Sequence, residues 1–272
     1  MRLVWALPFI GACYAPDPPT GIACGADTVC PETQFCRFGK CVSEEPACLP
    51  IEGDAGELTI PVLDLAPVID GDLADWPTCF VTVDETTAGL IRDLGNGPPR
   101  FSPGRFSIAA DESRIYVVAE LQAAPLGSQP APHVYLNNAI SVYFDADGRM
   151  DTPRYDDHAA QIVIDHANRT GAFQTDNAGI IPIPDMVSAT ATTSSTFTIE
   201  MSISAMSLGA ASFADRFGFD IGLVGGDGDV MTTELVWFQA CGAPECICDP
   251  DMHDDSAPYC DARQFGHASL QR

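Results

Sequence analysis

Residues 68–76 read Val68-Ile69-Asp70-Gly71-Asp72-Leu73-Ala74-Asp75-Trp76. Val68 and Ile69 close an extended segment. Asp70, Gly71 and Asp72 supply turn chemistry: glycine adopts positive φ without steric cost, and the short carboxylates accept bonds from nearby backbone N–H groups. Leu73 and Trp76 stand three apart, so one short helical turn buries both. The indole is the largest apolar anchor a chain can offer, which predicts that Trp76 plugs the end of a core.

After this turn the pattern is one of strands. Arg105 to Ala109 alternates, and Arg114 to Ala119 does so on a shifted frame; Asp111-Glu112-Ser113 between them predicts a hairpin. Ala139–Phe144 and Gln161–Ile164 read as two more strands. Thr196–Ile203 places Phe197, Ile199, Met201 and Ile203 on one face. Phe217–Val224, Leu235–Phe238 and Phe265–Leu270 complete the set. Short strands separated by Gly, Pro and Asp, with no sustained helical period, predict an all-β antiparallel sandwich of jelly-roll or immunoglobulin-like type.

Five segments carry a family resemblance in order: V-I-D-G-D-L-A-D-W; I-S-V-Y-F-D-A-D from Ile140; R-Y-D-D-H-A-A-Q-I from Arg154; F-T-I-E-M-S-I-S-A-M-S-L from Phe197; and F-G-H-A-S-L from Phe265. Together they resemble the carbohydrate-binding module family 9-like domains over roughly residues 58–272. The resemblance implies a sugar site clamped by two aromatic rings, which fall here on Tyr135 and Tyr259. It also implies a carboxylate where Ser141 stands and an arginine where Val163 stands. Asp165 falls where an amide is found and is the remaining polar ligand candidate.

The chain of 272 residues carries a formal net charge of −25 with only 13 Lys+Arg. That excludes nucleic acid, whose phosphates need cationic partners, and equally an anionic lipid surface. Asp145, Asp147, Asp151, Asp156 and Asp157 gather five carboxylates after one strand, around Gly148. Flexible oxygen-rich loops of this kind suit calcium, which takes six to eight oxygens, and the resemblance implies the same ion. A solvated acidic loop is the alternative.

Met1-Arg2 and the apolar run Leu3–Ala12 form an export signal too short to span a bilayer. Ile10-Gly11-Ala12-Cys13 resembles a bacterial lipobox, with Cys13 the lipidated residue; an ordinary signal peptide is the alternative. The expected location is extracytoplasmic, on the outer membrane or cell surface, with membrane contact only through the lipid. Residues 14–22 are proline-rich and read as a tether.

Lipidation of Cys13 leaves ten of the eleven cysteines for an oxidising compartment. Cys24, Cys30, Cys36 and Cys41 fall in a segment, 23–47, with few core-forming residues. Two disulfides of about 2–4 kcal/mol each would hold it, in any of three pairings. Cys48 and Cys79 pair by exclusion. Cys246 and Cys248 are too close to favour each other, so each reaches Cys241 or Cys260.

No nucleophile elbow, zinc-protease motif or phosphate loop is present in the sequence, which argues against an enzyme. The expected function is non-catalytic glycan binding by the 48–272 sandwich, calcium-stabilised and lipid-anchored. A structural or adhesive surface module that meets a surface protein is the second reading. A haem domain using His158 or His267 is the third.

Overall fold

The computed structural model describes residues 30–31, 35–37, 40–42, 48–49, 51, 53, 56–93, 102–131, 133–149, 157–174, 183–238 and 265–271. The chain divides into two units, 1–47 and 48–272. In the first, β1 (Phe35–Arg37) and β2 (Lys40–Val42) form an antiparallel hairpin with Cys36 opposite Cys41. Cys30 is disulfide-bonded. Cys13 and Cys24 lie outside the described residues.

The second unit is built from β3 (Glu57–Pro61), β4 (Val81–Val83), β5 (Leu90–Asp93), β6 (Gly104–Ala110), β7 (Arg114–Leu121), β8 (Ala139–Asp145) and β9 (Ala159–Asp165). It continues through β10 (Thr170–Gln174), β11 (Val187–Thr192), β12 (Phe197–Ser204), β13 (Arg216–Gly226), β14 (Met231–Val236) and β15 (Gly266–Gln271). One sheet runs β11-β12-β7-β6-β4. The other runs β10-β9-β8-β13-β14-β5, with β15 joining β13 and β3 joining β15. Pairing is antiparallel except for β3 and β15, which run parallel. Among the described residues the only helical pieces are three short 3-10 turns, and no helix is long and apolar enough to cross a membrane. The fold is an all-β sandwich.

The period-two patterns explain the core. Phe197, Ile199, Met201 and Ile203 of β12 all face inward, with Phe106, Ile108, Ile115, Val117 and Leu121 from β6 and β7. Opposite them stand Ile140, Val142 and Phe144 of β8, Ile162 and Ile164 of β9, and Phe217, Phe219, Ile221 and Leu223 of β13. Each such side chain stabilises the fold by about 1.5–3 kcal/mol when fully buried. Rings meet at the centre, Phe106 to Phe219 at 6.0 Å and Phe144 to Phe219 at 5.8 Å between centroids.

β3 ends at Pro61, and Val68 and Ile69 lie in the irregular segment 63–72 beyond it. One expectation from the opening turn changes. Trp76 does not plug the core between the sheets. It is 6% exposed and packs on the outer face of the smaller sheet, against Ala109, Tyr116 and Val118, with Leu63, Ile69, Leu73 and Phe80 around it. A loop crossing the back of a sheet needs its own apolar anchor, and the indole serves there.

The rest of the turn forms as expected. Gly71 has φ +91. Asp70 Oδ1 accepts from the Asp72 amide at 2.9 Å, and Asp72 caps the 3-10 turn Leu73–Asp75 by accepting from Ala74 N–H at 3.0 Å. Cys48 and Cys79 form the disulfide expected by exclusion, with a Cα–Cα distance of 4.8 Å.

Candidate functional site

The larger sheet has a second face, turned away from the core. Register settles which residues share it. Ser141 of β8 lies opposite Val163 of β9 and Gly222 of β13; Tyr143 lies opposite Gln161 and Asp220; Ala139 lies opposite Asp165 and Val224. Val224 in turn lies opposite Glu234 of β14, and Gln161 opposite Phe173 of β10. The odd-numbered residues of β8 and β9 therefore form a mixed polar and apolar surface while their neighbours build the core.

A polar row crosses this surface. Gln161 Nε2 donates to Ser141 Oγ and to Tyr143 Oη, both at 3.3 Å, and the Tyr143 hydroxyl donates to Glu234 Oε1 at 2.9 Å. Glu234 reaches over Gly222, where a Cβ would stand only 3.0 Å from its Cδ. The absence of a side chain at Gly222 is what lets a β14 carboxylate approach β8. All four polar side chains of the row are 3% exposed or less.

Asp220 sits where β13 changes partner from β15 to β14. Its Oδ1 accepts from the amides of Ile221 at 2.7 Å and Phe238 at 3.2 Å. Burial, reinforced by the nearby Glu234 charge, pushes its carboxyl well above the usual range. A buried acid thus satisfies the amides at a fork in the sheet.

Tyr135 belongs to a 3-10 turn, His133–Leu136, laid across this face. Val134 is fully buried there against Ala139, Val163, Val224 and Met231. Tyr135 is half-buried, edge-on to Phe173 at 6.3 Å between centroids, and its hydroxyl lies 3.2 Å from His133 Nδ1. Asp165 is fully buried. Its Oδ2 accepts from Asn137 Nδ2 at 2.7 Å and pairs with Arg169 Nε at 2.6 Å; its Oδ1 accepts from the amides of Ala167 and Arg169, both at 2.9 Å. Through Asn137, which also holds Gln129, it fixes the segment that carries Tyr135.

Tyr259 lies outside the described residues, as do Cys241, Cys246, Cys248 and Cys260. Of the acidic loop, Asp145, Asp147 and Asp157 are described; Asp151 and Asp156 are not. Asp145 is 1% exposed, Asp147 pairs with Arg149 at 3.2 Å, and Asp157 is exposed. Gly148, at φ +67, makes the turn that follows Asp147. Among the described residues no three His, Cys, Asp or Glu side chains come together as metal ligands.

Phe173, Gln161 and Glu234 were not legible as site residues in the sequence. Each comes from a different strand, and only the register brings them to one surface.

Residues 96–272 match the family described as carbohydrate family 9 binding domain-like. The chain belongs to this family. No curated protein matches it. Among solved structures, a carbohydrate binding module family 9 from Caldicellulosiruptor kristjanssonii in complex with cellotriose has a TM-score of 0.54 and 15% identity. That match covers 79% of this chain and 93% of the other. The same organism's family 9 module in complex with glucose gives 0.53 and 15%, covering 78% and 95%. At this identity the likeness is one of fold.

Proposed function

We propose that this family 9-like chain is a non-catalytic carbohydrate-binding protein, using the outer face of the larger sheet around Tyr135. The supporting observation is the placement of a half-buried tyrosine, edge-on to Phe173, beside a row of hydroxyl, amide and carboxylate groups. Sugar rings stack their C–H faces on aromatic side chains and exchange hydrogen bonds with such polar groups. Tyr135 and Tyr259 are the stacking residues in this reading, and Asp165 acts by holding the Tyr135 turn. The chain is anchored outside the cytoplasm through Cys13, and calcium steadies the loop bearing Asp145, Asp147, Asp151, Asp156 and Asp157.

A second reading, a structural or adhesive surface module, is favoured by one observation: the polar row is buried and its members bond one another. A glycan array separates the two. The wild-type chain binds one class of glycan and Tyr135→Ala loses it; silence of the wild type across the array favours the structural module. For calcium, a chelator lowers the melting temperature of the loaded protein, since a ligand of the native state adds stability. An unmoved melting temperature removes the ion.

A further inference from the structure

On the opposite side of the sandwich, Glu200 of β12 is fully buried on the outer face of the smaller sheet. Its Oε2 accepts from the amides of Asp70 at 2.9 Å and Gly71 at 2.6 Å, well over a hundred positions earlier in the chain. Glu200 thereby ties down the turn that leads to Trp76. A tight fit completes the contact: a Cβ at Gly71 would lie 3.2 Å from Ala191 Cβ and from the Ala191 amide nitrogen on β11.

The tie has an unusual electrostatic setting. Glu200 Oε1 is buried without a hydrogen-bond partner, and so is Asp75 Oδ1, whose other oxygen accepts from the Val68 amide at 2.7 Å. Burial first, then the charges of Asp75 and Asp70, push the Glu200 carboxyl up to about 7 against the two amide bonds that favour the anion. Burial and its acidic neighbours Asp70 and Asp72 raise Asp75 as well.

Cations do not offset these charges among the described residues. On β7, Arg114 is engaged with Asp185 and Ser202, and Tyr116 donates to Asp111. Arg105 of β6 pairs with Glu120 of β7 at 2.7 Å. β11, on the other flank, reads Val-Ser-Ala-Thr-Ala-Thr and carries no charge. The turn itself brings only Asp70, Asp72 and Asp75.

We propose that residues 68–76 form a proton-controlled latch on the smaller sheet: protonated Glu200 holds the turn shut, and its ionisation beside Asp75 loosens it. With the proton on Oε1, the carbonyl oxygen Oε2 still accepts both amide bonds, so closure survives protonation. Ionisation puts a buried negative charge beside the half-buried Asp75 carboxylate. The sign follows from linkage. A carboxyl that binds its proton more tightly in the closed state gives stability that is complete below the ordinary carboxylate range and is lost as the pH rises to about 7. The turn therefore opens more readily at neutral pH than at pH 5, carrying Leu73 and Trp76 with it.

The test is amide hydrogen exchange on the full-length chain from pH 4.5 to 8.5, expressed as protection factors to remove the intrinsic pH dependence of exchange. Asp70 and Gly71 are expected to lose about ten-fold or more in protection across the range in the wild type. Glu200→Gln keeps an acceptor for both amides and cannot ionise, so its protection at Asp70 and Gly71 loses most of the wild type's dependence on pH. Asp75→Asn keeps a smaller pH dependence, with its midpoint moved to lower pH and more protection left at neutral pH, since one charge that raises the Glu200 carboxyl is gone. Equal pH dependence in wild type and Glu200→Gln overturns the proposal. So does restoration of protection at pH 8 by millimolar calcium in the wild type but not in Glu200→Gln, which would make a metal ion the neutralising partner.

Discussion

Glu234 lies over Gly222: the carboxylate of one strand occupies the space that a side chain on the neighbouring strand would need. This juxtaposition lets Tyr143, Gln161 and Ser141 close into a hydrogen-bonded row on the face proposed for sugar binding. Gly222→Ala is expected to displace Glu234, break its bond to Tyr143, and cost about 1–3 kcal/mol, as overpacking does in a filled interior. Urea denaturation measures the loss. A neutral substitution would mean that the row is loosely held.

Asp220 offers a prediction with two variants. Asp220→Asn keeps an acceptor for the Ile221 and Phe238 amides, whereas Asp220→Ala leaves buried amides without one and costs about 1–3 kcal/mol. The raised carboxyl makes native stability fall as pH rises out of the ordinary carboxylate range, because the folded chain holds a proton that the unfolded chain has released. Denaturation at pH 5 and pH 8 therefore gives a smaller difference for Asp220→Asn than for the wild type. An identical difference would show that Asp220 is already ionised in its pocket.

The Cys48–Cys79 bond encloses a loop with a sequence separation of 31 and ties residues 48–49 to the chain beyond Trp76; the Cys79 amide also bonds the Leu49 carbonyl at 2.9 Å. Replacing both cysteines by serine is expected to lower stability by about 2–4 kcal/mol. Thermal melting of the double variant measures it. A melting temperature equal to that of the wild type would assign the bond no part in stability.

The fold was largely legible because alternation writes it directly. Phe197, Ile199, Met201 and Ile203 name their own inward face, and Asp111-Glu112-Ser113 names its own turn. The strands that escaped notice lack that signature. β11 reads Val-Ser-Ala-Thr-Ala-Thr because an exposed edge strand has no face to bury, and β5 is a short outer strand paired, among the described residues, on one side only. β3 follows an acidic, glycine-rich stretch that hides the alternation of Leu58 and Ile60.

The candidate site was legible only in part. Tyr135 and Asp165 were reached through family resemblance, but what Asp165 does depends on Asn137 and Arg169 closing around it. Glu234, Gln161 and Phe173 meet through the register of neighbouring strands, which no local pattern encodes. Trp76 was recognised as an anchor and assigned to the wrong layer. Its neighbours Ala109, Tyr116 and Val118 alternate with the core residues Ile108, Ile115 and Val117, so an apolar back face looked like part of the same interior.

Isothermal titration of the chain with the glycan class that binds it best on an array, with Tyr135→Ala alongside, tests the proposed function most directly. The account predicts measurable binding by the wild type and a loss of about ten-fold or more on removal of the ring, in a variant whose circular dichroism is unchanged. Binding of equal strength in both proteins would place the sugar away from Tyr135. No binding of any glycan by the wild type would contradict the function itself.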